Sequence, residues 1–333
     1  MVIKPFPHLD TIHAIAIPFV GFPDLITANV YVVGKGPLTL IDAGPKIKGA
    51  VNFLRRELNG MGFDFRDIEK IIVTHGHVDH FGLAARIRDA AGHGIKILAH
   101  PEEKWRMSTE NFEAGLWSQE ANELMVMAGT PEEEIEKARK RFRAMSNLAE
   151  PLDEVDFLED GDELEGSGFE LKVIHTPGHT AGSICLLEMR SRVLFSGDTV
   201  IKHISPNPIL EPRRKELRDP GYQSLSAFLG SLEKLRCLDV DLVFPAHGES
   251  LNDLRGIIQT YVTHHEERMD RIWSALRNKP KPIYNMINEV FPYMPEDHIF
   301  LGISELISHL EVLMRREKAR IVDTGPPTLY YAV

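Results

Sequence analysis

Four potential metal ligands stand within the seven-residue segment 74–80, Thr-His-Gly-His-Val-Asp-His. The segment directly follows an apolar run that predicts a β-strand. Side chains in a loop at a strand end are free of strand alternation and can converge on one point. Imidazole and carboxylate groups suit Zn²⁺, so His75 and His77 are expected to hold one metal ion, and Asp79 and His80 a second.

Each of these pairs is short of the ligands that a metal ion needs. The sequence offers three more candidates at the ends of predicted strands: His179 in Thr-Pro-Gly-His-Thr, Asp198 in Phe-Ser-Gly-Asp-Thr and His247 in Phe-Pro-Ala-His-Gly. With them, the sequence predicts a complete dinuclear site.

These motifs, in their order through residues 28–248, resemble the five motifs of the metallo-β-lactamase superfamily. The resemblance implies an α/β fold, the αββα sandwich. It also implies a role for each position: His75, His77 and His179 bind metal one, Asp79, His80 and His247 bind metal two, and Asp198 bridges both. Asp42, in Leu-Ile-Asp-Ala-Gly, matches the first motif and is expected to support the ligands without binding metal itself.

The predicted chemistry is hydrolysis. Two Zn²⁺ ions, or Fe or Mn in their place, about 3.5–4 Å apart would lower the pKa of a shared water towards 7, and the hydroxide would attack a carbonyl carbon or a phosphorus atom. The candidate catalytic carboxylates are Asp79 and Asp198, the latter to orient the nucleophile. Flavodiiron proteins of this fold carry glutamate at the position of His77, so an electron-transferring diiron centre is disfavoured.

The elements that would position these residues alternate between strand and helix. A hairpin is predicted from 28–33 and 38–42, a helix from 47–58 and a strand at 71–73. The remaining predicted elements are a helix at 82–91, strands at 95–99, 170–174, 183–187 and 193–195, a helix at 225–235 and a strand at 242–244.

Two segments lie outside this pattern. Residues 1–252 are predicted to form the catalytic domain, in which about 101–150 is a helical insertion that either covers the sheet or forms a lid over the site. Residues 253–333 resemble a winged helix: helices are predicted at 253–278, 282–290 and 302–316, then a hairpin from 320–322 and 329–331. Leu306, Leu310, Leu313 and Met314 form an apolar stripe at helical spacing and are expected to be core.

Substrate contacts leave a weaker trace in the sequence than ligands do. His203 follows the Asp198 motif closely and is a candidate for the substrate pocket, as are Lys202 and His100. The other histidines are expected to be surface or packed residues, namely His93, His264, His265, His298 and His309.

Bulk composition limits the partners. The 333 residues carry a formal net charge of −11, which disfavours but does not exclude a nucleic-acid partner. No apolar stretch reaches the roughly 20 residues of a membrane span. The N-terminus shows no signal peptide, which makes a cytoplasmic location the expectation. Cys185 and Cys237 are far apart, which argues against a disulfide framework.

Three functions compete. The leading hypothesis is hydrolysis of an ester, thioester or lactone of a small organic molecule, motivated by the dinuclear ligand set and the largely apolar insertion. Residues 176–183 also resemble the hydroxyacylglutathione hydrolase (glyoxalase II) branch, but that resemblance does not fix the substrate. The second is an endoribonuclease or phosphodiesterase, because the domain arrangement resembles lactamase-like proteins that include a mitochondrial endoribonuclease. The third is a mononuclear-iron sulfur dioxygenase. Residues 262–333 hold nine basic and ten acidic side chains, which favours a structural cap or a homodimer contact over a nucleic-acid reader.

Overall fold

The computed structural model describes residues 9–22, 25–210, 222–295 and 298–333. The N-terminal segment 1–8, where the sequence predicts no signal peptide, lies outside the described residues. Among the helices that the structure describes, none is both long enough and apolar enough to span a membrane.

A six-stranded sheet begins the fold, with its strands paired in chain order. β1 to β3 pair antiparallel, and β3 to β6 pair parallel. The strands are β1 (Ile12–Phe22), β2 (Leu25–Val33), β3 (Leu38–Ile41), β4 (Ile68–Ile72), β5 (Lys96–Ala99) and β6 (Asp156–Phe157).

The second sheet has five strands in the order β11-β10-β9-β8-β7. Only the β10–β11 pair is parallel. The strands are β7 (Glu163–Gly166), β8 (Phe169–His175), β9 (Ile184–Glu188), β10 (Val193–Gly197) and β11 (Leu242–Pro245).

The two sheets pack face to face, with helices on both outer faces. Between the sheets lies an apolar core to which Ile41 and Ile72 contribute from the first sheet and Val173 and Phe195 from the second. The outer face of the first sheet is covered by α1 (Ala50–Gly60) and α3 (Ala84–Ala91). The second is covered by α8 (Ser224–Arg236) and the start of α9 (Leu254–Leu276). The predicted αββα sandwich is confirmed.

The predicted insertion is helical, as expected. It contains α4 (Lys104–Met107), α5 (Thr109–Glu113), α6 (Gln119–Met127) and α7 (Glu132–Met145). The C-terminal segment adds α10 (Ile287–Val290), α11 (Ile299–Arg315) and the antiparallel pair β12 (Ala319–Asp323) and β13 (Leu329–Ala332). These are the elements on which the winged-helix prediction rests, and the domain boundary at 252/253 stays a prediction.

The insertion and the C-terminal helices share one apolar core. Trp117, Met125 and Ile135 of the insertion pack in the same cluster as Leu306 and Leu310 of α11. The apolar stripe predicted for α11 is therefore confirmed as core. The insertion covers a helical layer and not the sheet alone.

One acidic residue of α11 is paired inside the protein. Glu305 is largely buried and accepts a hydrogen bond of 2.6 Å from Arg268 on α9. The pair joins the two helices, because a carboxylate removed from water needs such a partner. This arginine is consequently occupied inside the protein.

Candidate metal centre

The seven predicted ligands come from four segments at one edge of the sandwich, each directly after a strand. His75 and His77 follow β4, and Asp79 and His80 lie in α2 (Val78–Phe81), a single helical turn that begins directly after His77. The other three follow the strands of the second sheet: His179 after β8, Asp198 after β10 and His247 after β11. Strand ends thus place residues 172 positions apart in one site.

The first cluster contains His75, His77, His179 and Asp198. The Nδ1 atom of His77 lies 2.9 Å from Nε2 of His75 and 3.1 Å from Nε2 of His179. The Oδ2 atom of Asp198 lies 3.5 Å from Nε2 of His179. Burial lowers the pKa of all three histidines, which keeps the imidazoles neutral and their nitrogen lone pairs available.

The second cluster contains Asp79, His80 and His247. The Nε2 atom of His247 lies 3.4 Å from both Oδ2 of Asp79 and Oδ1 of Asp198. The same Oδ1 lies 3.6 Å from Nε2 of His80. Burial opposes charge on both imidazoles, but the surrounding carboxylates outweigh it and raise the pKa of His80 and His247. Asp198 therefore turns one oxygen to each cluster.

Asp42 orients one ligand and one loop. Its Oδ2 atom accepts from Nδ1 of His80 at 2.9 Å, so Nε2 of that ring faces the cluster. Its two oxygens also accept from the backbone N–H and the hydroxyl of Thr74, at 2.8 and 2.9 Å. Asp42 has a φ of 59°, a left-handed conformation that aspartate adopts more readily than most residues.

Backbone carbonyls orient two further histidines. Nδ1 of His247 lies 2.7 Å from the carbonyl of Thr27, and Nδ1 of His179 lies 2.9 Å from that of Asn207. Because a carbonyl only accepts, both rings carry their proton on Nδ1 and present Nε2 to the clusters. Gly178 has a φ of 140°, and a Cβ atom there would lie 2.3 Å from Cα of Phe228, so only glycine lets the loop before His179 run against α8.

The residues present fit a pair of divalent metal ions. Among the described residues, Nε2 of His80, Nε2 of His247 and Oδ1 of Asp198 are buried and have no hydrogen-bond partner. Leaving such atoms unsatisfied costs about 1–3 kcal/mol each. A metal ion between them would satisfy all three, and the mixed imidazole and carboxylate set is one that divalent metals bind.

Sequence reasoning missed Glu103, which lies in the 3₁₀ turn before α4 and is fully buried. One of its carboxylate oxygens accepts from the backbone N–H of Gly76 at 2.7 Å, and the other accepts from that of Gly182 at 2.7 Å. Glu103 therefore ties the loop after β4 to the loop that carries His179. Its sequence neighbourhood resembles an exposed helix start, so nothing in it predicts this role.

The three predicted substrate contacts lie elsewhere. His203 is exposed, and the exposed Lys202 pairs with Glu249. The ring of His100 stacks on His175 at 4.0 Å. None of the three lines the cavity beside the ligand clusters. Their contact with substrate stays a prediction, because proximity to a ligand in sequence does not fix the direction of a loop side chain.

The sequence model of the metallo-beta-lactamase superfamily matches residues 23–247, which include all seven candidate ligands. The chain belongs to the metallo-β-lactamase superfamily. It is 30% identical over 292 residues to the "Probable metallo-hydrolase YqjP" of Bacillus subtilis, covering 86% of this chain and 88% of that one. These matches identify this superfamily member as a metal-dependent hydrolase.

Solved structures of the superfamily extend the likeness over the whole chain. The metallo-beta-lactamase family protein TTHA1429 of Thermus thermophilus superposes with a TM-score of 0.80 at 27% identity, over 98% of this chain and 99% of that one. A beta-lactamase domain protein of Burkholderia ambifaria gives 0.82 at 19% identity, over 100% and 94%. The second likeness concerns the fold alone.

Proposed function

We propose that this protein hydrolyses an ester, thioester or lactone of a small organic molecule with an apolar acyl part. The observation that carries the proposal is a cavity of about 380 Å³ whose wall includes His77, Asp79, His179 and Asp198. This volume lies within the usual range of small-molecule sites. Much of the remaining wall is apolar, with Leu116, Trp117, Phe142, Ile209, Phe300 and Leu301 among its residues.

The cavity lies between the insertion and the C-terminal helices. Trp117 and Phe142 come from the insertion and Phe300 from α11, and their rings pack edge to face with centroids 5.0–5.7 Å apart. Aromatic walls bind apolar groups by contact area and exclude water from them. The insertion therefore contributes to the proposed substrate site. This favours the predicted role of a lid over the site, in the sense of a fixed cover, above that of covering the sheet.

We assign the ligands as the sequence predicts: His75, His77 and His179 to one ion, Asp79, His80 and His247 to the other, and Asp198 to both. We propose Zn²⁺ for both positions, since it binds this imidazole and carboxylate set well. Two such ions supply a water nucleophile at neutral pH and polarise the bond that is cleaved. Asp42 and the carbonyls of Thr27 and Asn207 hold the ligand rings in place.

Electrostatics favour this substrate class over RNA. Three basic side chains of the C-terminal segment are paired within the protein: Arg268 with Glu305, Lys281 with Glu289 and Arg316 with Glu266. Phosphate neutralisation by free basic residues supplies most nucleic-acid affinity. A mainly apolar cavity is also a poor site for a polyanion.

Metal quantification coupled to a substrate panel tests the proposal. The panel contains acyl thioesters, aryl esters, lactones, a phosphodiester and a single-stranded RNA oligonucleotide. We expect about two zinc ions per chain and hydrolysis of acyl substrates only. Cleavage of RNA without acyl hydrolysis, or one iron per chain with oxygen uptake, would replace the proposal with one of its two rivals.

A variant pair tests the ligand assignment in the same assay. Asp198→Ala removes both oxygens that lie between the clusters and should abolish acyl hydrolysis and lower the metal content. Asp239→Ala is the matched control, because this exposed carboxylate pairs only with Arg192 among the contacts that the structure describes. Full activity in Asp198→Ala protein that has lost its metal would overturn the assignment.

A further inference from the structure

A chain of three polar side chains runs from the cavity wall into the C-terminal helices. Ser205 lines the cavity together with His179 and Asp198. Its hydroxyl lies 3.3 Å from Nε2 of His265 on α9, and Nδ1 of His265 lies 3.1 Å from Nε2 of His309 on α11. The chain ends where Nδ1 of His309 lies 2.6 Å from the backbone carbonyl of Glu305.

The direction of every hydrogen bond in this chain follows from its last member. The Glu305 carbonyl only accepts, so His309 carries a proton on Nδ1. Both histidines are almost completely buried, and burial lowers the pKa of His309 to about 3 and that of His265 to about 2. Both rings are therefore neutral at pH 7, with one proton each.

The proton positions on His265 and Ser205 are then fixed. Since the proton of His309 is on Nδ1, its Nε2 accepts from Nδ1 of His265. Nε2 of His265 is then unprotonated and accepts the hydroxyl proton of Ser205. A serine hydroxyl has one proton and two lone pairs, so Ser205 retains only acceptor capacity towards the cavity. A fixed acceptor in a largely apolar wall, which also includes Asn111, Ser118 and Asn207, discriminates between ligands that can and cannot donate to it.

We propose that Ser205 accepts a hydrogen bond from the substrate, which selects acyl compounds that bear a hydroxyl or amide N–H group on an otherwise apolar acyl part. The inference rests on the proposed function for its substrate class. Ser205 is a specificity-determining residue and not a nucleophile, because attack would require His265 to take its proton and remain charged in a buried position. His265 and His309 are positioning residues that act through Ser205.

Matched ligands test the polarity of Ser205 directly. The ligands are phenylpropan-2-ones, ketones that have no bond to hydrolyse. Each is prepared with either a hydroxyl or a fluorine at the ortho, meta or para position of the phenyl ring. Fluorine is similar in size to a hydroxyl but cannot donate. Calorimetry with metal-loaded protein should show at least one hydroxyl isomer binding about tenfold more tightly than its fluorine counterpart, the order expected for one hydrogen bond.

Three variants test whether Ser205 causes the preference for the hydroxyl ligand over its fluorine counterpart. Ser205→Ala should bring that ratio close to one, mainly by weakening the hydroxyl ligand. Ser226→Ala, which removes a hydroxyl on α8 that bonds Gln223, should keep the wild-type ratio. His309→Leu should lower the ratio, because either tautomer of His265 is then allowed. The carbonyl of Glu305 can keep its helical hydrogen bond to the backbone of residue 309.

Three results would overturn the inference: no hydroxyl preference in the wild type, the same preference in Ser205→Ala, or a covalent acyl adduct on Ser205 detected by mass spectrometry after incubation with the matching thioesters. Failure of the proposed function is a separate outcome. It would leave the thioesters intact while the ketones still bound with a hydroxyl preference that depends on Ser205.

Discussion

Two buried carboxylates support the ligand loops, and the sequence predicts only one of them. Asp42 belongs to a motif with a fixed place in the order of motifs, so its support role could be expected before the structure. Glu103 accepts from the backbone of Gly76 and Gly182, which are 106 positions apart in sequence. Backbone N–H groups leave no mark in a sequence, so folding alone reveals this contact.

Glu103→Gln tests that contact at the scale of one atom. The amide has nearly the same shape, but its NH₂ group would face one of the two backbone donors, leaving that donor unsatisfied at a cost of about 1–3 kcal/mol of unfolding free energy. The two loops should then hold the ligands less well. We expect metal affinity and kcat/KM to fall about tenfold or more, as for other residues that orient ligands.

Competition with a chelator measures the affinity, and acyl hydrolysis at saturating metal measures kcat/KM. Glu102→Gln is the control. The side chain of Glu102 is exposed, so this substitution should leave metal affinity and kcat/KM unchanged. Unaltered metal affinity in a folded Glu103→Gln protein would contradict the role assigned to Glu103.

At the scale of elements, the sequence predicts the strands that precede the candidate ligands but not β1, β6 or β7. Each segment that carries candidate ligands follows a short apolar run whose end is visible locally, so all seven candidates could be placed just after strands. The packing partner of the insertion could not be predicted. Trp117 and Phe142 are scattered among charged residues, and their contact with Phe300 depends on how α11 returns across the molecule.

Phe300→Leu tests whether this aromatic contact forms the substrate wall. Losing two edge-to-face ring contacts should lower the unfolding free energy by about 1–2 kcal/mol. It should also lower the kcat/KM ratio of a phenylacetyl to an acetyl thioester about fivefold, because roughly 1 kcal/mol of apolar contact with the larger group is lost. Phe157→Leu is the control, because that ring is 49% exposed. An unchanged ratio in Phe300→Leu would place the acyl group elsewhere.

At the scale of the whole molecule, the αββα architecture could be expected, because the order of the motifs resembles that of the metallo-β-lactamase superfamily. The pairing of charged residues and of histidines that lie far apart in sequence could not be predicted. His265 and His309 are ordinary polar positions in helical sequence, and only the crossing of α9 and α11 buries them together. This burial has a consequence for stability that the sequence alone does not predict.

The buried pair should make the protein sensitive to acid. In the unfolded chain a histidine takes up a proton below about pH 6.5, whereas burial holds the pKa of His309 at about 3 in the folded protein. The contribution of neutral, buried His309 to the unfolding free energy is thus fully present above about pH 6.5 and is lost as the pH falls. Between pH 7 and 5.5 one such histidine should cost about 1 kcal/mol of unfolding free energy.

Urea unfolding of metal-loaded protein at the two pH values measures this loss. His309→Leu should lose about 1 kcal/mol less than the wild type over that interval, although it starts from a different stability. Leu310→Val perturbs the packing of the same helix without removing a histidine and should keep the wild-type pH dependence. Equal losses in the wild type and His309→Leu would mean that His309 takes up its proton in the folded protein as well, and the fixed hydrogen-bond direction that ends at Ser205 would fail with it.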